Sequence, residues 1–177
     1  MMSPTRDQHT AVILADDLYE NLELHYPRLR LLEAGWSVQV AGAEANRSYA
    51  SKEGYPVPSD VAFGEVNPTG VDALVVPGGY APDKLRRHQA CLDLVKGVWD
   101  AGGIVAFICH AGWVPISAGI VRGKRVTSVP AIRDDLVNAG AEWLDSGFVV
   151  DGRMISAQGP SDLPPFMAAV LSAAAES

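Results

Sequence analysis

Apolar residues in this chain gather into short unbroken runs that stop on glycine, proline or charge, and between the runs they recur at three- and four-residue steps. Residues 10–15, 71–76 and 103–108 are continuous runs, the pattern of strands buried on both faces of a sheet. Residues 36–42 alternate through Val38 and Val40 and read as a further strand. Residues 21–34 place Leu22, Tyr26, Leu29 and Leu32 at helical spacing and are followed by Gly35, a residue favoured just past a helix end. Pro27 lies inside this helix and removes a backbone donor, so a kink or two short pieces are expected there. Leu85, Leu92, Val95 and Trp99 predict a second helix over 83–100, closed by Gly102 and Gly103.

The segment 43–68 changes character, since Gly54, Pro56, Pro58, Gly64 and Pro68 punctuate it and favour a small excursion or hairpin. Beyond residue 112 the pattern predicts a helix over 113–118, a strand over 125–128, a helix over 132–139 and a strand over 142–144. A hairpin of 148–150 with 154–156 turns at Asp151-Gly152, and a helix over 162–175 carries Pro164 and Pro165 in its first turn, where proline is tolerated. Strands alternating with helices give an α/β fold, a doubly wound, mostly parallel sheet with helices on both faces. One domain over 1–177 is expected, with 1–9 as an extended or disordered tail. Ligands of such sheets sit beyond the carboxyl ends of the strands. Those ends carry Asp16 to Glu20, Gly78-Gly79 and Cys109-His110.

Composition narrows the chemistry. The 177 residues are 48% hydrophobic, enough for a core without disulfides, and the net charge of -7 is spread along the chain. Nucleic acid and anionic membrane are therefore not expected as partners. No apolar run approaches the ~20 residues that span a bilayer, and the first ten residues lack the pattern of a secretion signal, so a cytoplasmic protein is expected. Two cysteines, Cys91 and Cys109, make no disulfide framework, and no second His or Cys stands at ligand spacing from either, so no metal is expected.

Cys91 falls on the apolar face of its helix and reads as a small core hydrophobe. Cys109 differs. It ends a buried strand, His110 follows it, and the small residues Ala111 and Gly112 let the chain turn at once into a helix. A nucleophile on such an elbow stands up from the sheet, and the N–H groups of the turn favour a thiolate and can receive an oxyanion. At an unperturbed pKa of ~8.5 about 3% of a thiol is ionised at neutral pH, so a depressed pKa is expected here. Glu20 arrives from another strand end; held against Cys109 it would be partly protonated and could donate a hydrogen bond to the thiolate. No histidine follows residue 110, which leaves His110 as the base candidate.

The chain resembles the ThiJ/PfpI superfamily and, within it, the intracellular-protease-like PfpI branch. The resemblance runs from Ala11 to Met167 and rests on Tyr19-Glu20-Asn21-Leu22-Glu23 with Tyr26-Pro27, on Val76-Pro77-Gly78-Gly79-Tyr80-Ala81-Pro82-Asp83, on Ile108-Cys109-His110, on Ser117-Ala118-Gly119-Ile120-Val121-Arg122-Gly123, and on Asp134-Asp135-Leu136-Val137-Asn138-Ala139-Gly140-Ala141-Glu142-Trp143. It implies a flavodoxin-like sandwich of the class I glutamine amidotransferase kind, with Cys109 as nucleophile, Glu20 on its sulfur and His110 as base. Oxyanion or substrate contacts fall to the backbone at Gly78, Gly79 and Ala111. It also implies a homo-oligomer, a dimer or a hexamer, in which an acid at the position of Asp83 reaches a neighbour's site. Ala111-Gly112-Trp113 replaces the commoner Gly-Pro, Val129 replaces a frequent aromatic, and Ala157-Gln158 replaces Ser-Arg, so the pocket wall is altered.

These readings converge on a cysteine-dependent enzyme without metal or organic cofactor that acts on small carbonyl compounds, such as glyoxalase III-like conversion of methylglyoxal to lactate, or deglycation. A peptidase or amidase using the same residues is the alternative. A third reading is a stress or redox sensor in which Cys109 is itself oxidised.

Overall fold

In the computed structural model, which describes residues 8–175, the apolar runs become adjacent strands. In chain order the elements are β1 (Thr10–Leu14), α1 (Asn21–Glu33), β2 (Ser37–Gly42), β3 (Ser48–Ala50), β4 (Pro56–Pro58), β5 (Val61–Ala62) and β6 (Ala73–Val76). They continue as α2 (Ala81–Leu85), α3 (Gln89–Asp100), β7 (Ile104–Ile108), α4 (Trp113–Ser117), β8 (Arg125–Val126), α5 (Arg133–Asn138), β9 (Glu142–Trp143), β10 (Phe148–Asp151), β11 (Met154–Ala157) and α6 (Leu163–Ala175).

Seven strands form one sheet in the order β10-β11-β7-β6-β1-β2-β5, parallel throughout except for β10 at one edge. Both alternating sets of side chains on β1, β6 and β7 are buried, so the helices cover both faces, and the unbroken apolar runs are explained. From β1 the chain moves outward to β2 and β5, then returns to the other side of β1 as β6. The sheet therefore changes direction between β1 and β6, the place where such folds bind ligands. The loops after β1, β6 and β7 meet at this end. Tyr80 N–H donates to the Leu18 carbonyl at 2.8 Å and Glu20 N–H to the Gly78 carbonyl at 3.1 Å, tying the first two loops together.

Three sequence expectations are corrected. Helix α1 runs unbroken through Pro27, whose buried ring forfeits only the bond to the Glu23 carbonyl. Its inward face is Glu23, Leu24, Pro27 and Leu31, while Leu22, Leu29 and Leu32, expected inside, are exposed. The helix expected over 83–100 is two helices, because His88 is extended (φ -90°, ψ 111°) and its carbonyl starts α3. Of the segment 1–9, expected as an extended or disordered tail, residues 8 and 9 contact the domain: Gln8 donates to the Gly35 carbonyl at 2.9 Å and the His9 ring stacks on Trp36. The rest of that tail lies outside the described residues. The excursion after β2 is the two-stranded β3–β4 hairpin, docked on the loop after β1 by Leu18 N–H to the Ala50 carbonyl and Lys52 N–H to the Tyr19 carbonyl. Among the described residues no helix is long and apolar enough to cross a membrane.

Candidate active site

Strand β7 ends with Ile108 extended, and the next residue, Cys109, sits at φ 62°. A non-glycine residue there costs about 1–2 kcal/mol, a strain kept where the surrounding structure fixes it. The tight turn Cys109–Gly112 follows and leads into α4, so the elbow read from the sequence is present. The thiol faces a pocket of about 180 Å³ lined by Glu20, Glu23, Lys52, Gly79, Tyr80, Cys109, His110 and Pro160.

The carboxylate against the sulfur is Glu23, not Glu20. Glu20 is the N-cap of α1: its side chain accepts from Glu23 N–H at 2.8 Å, satisfying a free donor of the first turn. It lines the pocket but is spent on the helix. Glu23, three residues on, is fully buried; its Oε2 accepts from Gly78 N–H at 2.7 Å, and its Oε1 has no hydrogen-bond partner. Its carboxyl group interacts with the Cys109 thiol. Gly78 is required by this convergence, since a Cβ there would lie 2.5 Å from Glu23 Oε2 and 2.8 Å from Cys109 Cβ.

Burial is the main cause that lifts Glu23 to about 7, offset by the Gly78 N–H and by the Lys52 charge. Burial, followed by the Glu23 charge, pushes the Cys109 thiol up to about 12, while the N–H groups of His110 and Gly79 and the Lys52 ammonium pull it down. The depressed thiol expected from an isolated elbow is thus not what the site holds. Glu23 therefore loses its proton more readily than the Cys109 thiol, and its charge in turn holds the thiol in the neutral form. Transfer of the thiol proton to Glu23 would give the thiolate form the chemistry requires.

His110 Nδ1 lies 3.4 Å from Sγ, and burial lowers its pKa. Gly79 sits at φ 75° with its N–H toward the sulfur. Gly78 does not serve in that way, because its N–H is taken by Glu23, and Ala111 is fully buried outside the pocket. Asp83 is exposed on α2, pairs with Arg87 at 3.5 Å and does not line this pocket. Cys91 is buried in the core as expected, its thiol raised to about 12 by burial and then by the Asp16 charge.

Two residues escaped sequence reasoning. Glu23 stood in plain sight three positions after Glu20, and the signal that finds it is the inward face defined by Leu24, Pro27 and Leu31. Lys52 is delivered by the turn between β3 and β4 from an otherwise featureless stretch, and no local signal marks it.

With this geometry in hand, comparison with known proteins is decisive. Residues 9–173 match the DJ-1/PfpI family. The chain belongs to this family. It is similar to a protein of Pyrococcus abyssi named as a deglycase, with 45% identity over 156 residues covering 88% of this chain and 93% of that one. Deglycase PfpI of Pyrococcus furiosus is 42% identical over 156 residues, again 88% of this chain and 93% of the relative. Among solved structures, a two-domain protein from Anabaena variabilis with DJ-1/ThiJ/PfpI-like and ferritin-like domains superposes with a TM-score of 0.91 at 37% identity, covering 93% of this chain and 48% of that one. Drosophila melanogaster DJ-1beta superposes with a TM-score of 0.86 at 27% identity, covering 96% and 90%. Family members are thus named as enzymes, and the doubly wound sheet is shared.

Proposed function

We propose that the protein is a cofactor-free enzyme that uses Cys109 covalently on small 2-oxoaldehydes, converting methylglyoxal to lactate, or reverses the adducts such aldehydes form on proteins. The observation that carries this is the Cys109–Glu23 pair, strained at φ 62° and closed against a small pocket, because it holds one labile proton beside a latent thiolate. The deglycase names of the relatives support the same reading.

In this scheme the Cys109 thiolate adds to the aldehyde carbon, and its electron pair forms the C–S bond while the carbonyl electrons move to oxygen. The Gly79 and His110 N–H groups receive that oxygen, which takes a proton. A proton then leaves the former aldehyde carbon for His110 or Glu23 and returns to the neighbouring carbon, so that the first carbon is oxidised and the second reduced within one molecule. The product on the enzyme is a thioester. Water hydrolyses it to lactate, restoring the thiol, and the overall change is methylglyoxal plus water to lactic acid.

Purified protein given methylglyoxal and a fluorogenic peptide side by side tests the reading. Lactate formation that is lost by roughly a thousandfold or more in Cys109→Ser is expected. Turnover of the peptide alone would establish the peptidase alternative, and a mass shift on Cys109 under mild peroxide with neither activity would establish the sensor. We further propose a homo-oligomer in which Asp83 approaches the His110 of a neighbouring subunit. Its exposure on α2 supports this, and light scattering showing a monomer at micromolar concentration would remove it.

A further inference from the structure

We propose that Trp113 positions His110 from within the subunit and that Arg86 and Asp135 fix Trp113 for this purpose. The inference rests on His110 working with Cys109, as in the function proposed above, and concerns how that imidazole is held. Imidazole bases are commonly oriented by a carboxylate on the second ring nitrogen. Among the described residues His110 makes no ion pair with an acidic side chain, and its hydrogen-bond contact is with the Cys109 sulfur.

What packs on the ring is Trp113. The two ring centroids are 5.5 Å apart at 54°, three residues apart on the turn that leads from the elbow into α4. Trp113 is itself overdetermined. Its indole N–H donates to Asp135 Oδ2 on α5 at 2.8 Å, and the Arg86 guanidinium at the end of α2 lies 5.7 Å from its ring centroid, within cation–π range. Arg86 is tied in turn by its Nε–H, which donates to Ser117 Oγ on α4 at 3.0 Å. Three helices therefore converge on one indole, which packs against the His110 ring. Holding a reacting group in one orientation is worth activity without any direct contact with substrate.

The arrangement also sets the surroundings of the imidazole. The Trp113 ring packs beside it, and the charged groups around it are Arg86 from α2, Asp135 from α5, Lys52 from the β3–β4 turn, and Glu20 and Glu23 from α1 across the pocket. Removing the indole opens the ring to water and lets it protonate more readily, the direction opposite to the effect of its burial.

The test is a double-mutant cycle read by the alkylation of Cys109 with iodoacetamide across pH, which needs no knowledge of the substrate. Trp113→Ala is expected to slow alkylation at neutral pH by about tenfold and to raise the His110 pKa followed by NMR of its ring protons. In a His110→Gln background the same substitution is expected to change the rate less than about twofold. Equal losses in the two backgrounds, or an unmoved His110 titration, would overturn the proposal. Should Trp113→Ala not fold, Trp113→Phe, which keeps a ring and loses the N–H, and Asp135→Ala carry the cycle. Asp135→Asn, which keeps an acceptor, is expected to restore the rate lost in Asp135→Ala. A protein that shows this coupling but leaves methylglyoxal untouched would retain the proposal and lose the substrate; methylglyoxal turnover without the coupling would do the reverse.

Discussion

The elbow at Cys109 and the first turns of α1 meet at one pocket, yet they reach it by opposite routes. The elbow is assembled from contiguous residues: a fully buried strand, a thiol at positive φ, an imidazole and two small residues that permit the turn. Its partner carboxylate is placed by a helix that must first choose which face to bury. Leu22, Tyr26 and Leu29 are spaced as well for a helical face as Leu24, Pro27 and Leu31, but the latter go inward and take Glu23 with them. A nucleophile is thus a local property of the chain here, whereas the group that governs its proton is decided by packing across the sheet end.

The sharpest way to break this comparison is to exchange the two carboxylates. Glu23→Gln is expected to lower methylglyoxal turnover by about a hundredfold, the scale of a lost acid–base group. Glu20→Gln, which leaves an oxygen to cap Glu23 N–H, is expected to stay within about twofold. Steady-state assays of the two proteins decide it, and the reverse order of losses would restore Glu20 to the sulfur.

How much of the molecule could be read in advance follows the same division. Strands β1, β6 and β7, the Asp151-Gly152 hairpin and the elbow were legible because each is written in adjacent residues of one character. The break between α2 and α3 was not, because Arg86, Arg87 and His88 carry no glycine or proline to announce it, and the extended His88 is set by tertiary packing. The face of α1 was misread because apolar spacing alone cannot tell a buried leucine from an exposed one, and a buried charge adds nothing to it. Cys109 was found, and its titration was read in the wrong direction, since the turn's donors are outweighed by burial and by a charge from another helix.

Stability across pH offers a second test with its sign fixed by Glu23. The folded value of about 7 lies above the ordinary 4.5, so the stability this group contributes is complete below about 4.5 and is lost as pH rises through 7. The loss is on the order of 3 kcal/mol. Thermal melts of the wild type minus those of Glu23→Gln should show a downward trend over this window. A flat difference would mean that Glu23 does not carry the buried charge. Gly78→Ala sharpens the picture from the backbone side: its Cβ must push either Glu23 or Cys109, so a cost of about 1–3 kcal/mol and loss of turnover are expected together. Denaturant melts and activity measured on the same sample check it, and full activity at wild-type stability would show the convergence on Gly78 to be loose.

The smallest expected effect belongs to Lys52, the site residue most remote from the elbow in its origin. Its ammonium favours the charged forms of both Glu23 and Cys109, so its removal should make the first proton of the pair harder to lose. The side chain is about 40% exposed and also lies 3.6 Å from Glu53, so water and salt screen it. Lys52→Met is therefore expected to move the midpoint of Cys109 alkylation upward by a few tenths of a pH unit, less than one unit. Raising the ionic strength should produce part of the same shift in the wild type and little in the variant. If the midpoint falls, or if salt acts equally on both proteins, Lys52 does not act through charge, and the β3–β4 hairpin would serve only to wall the pocket.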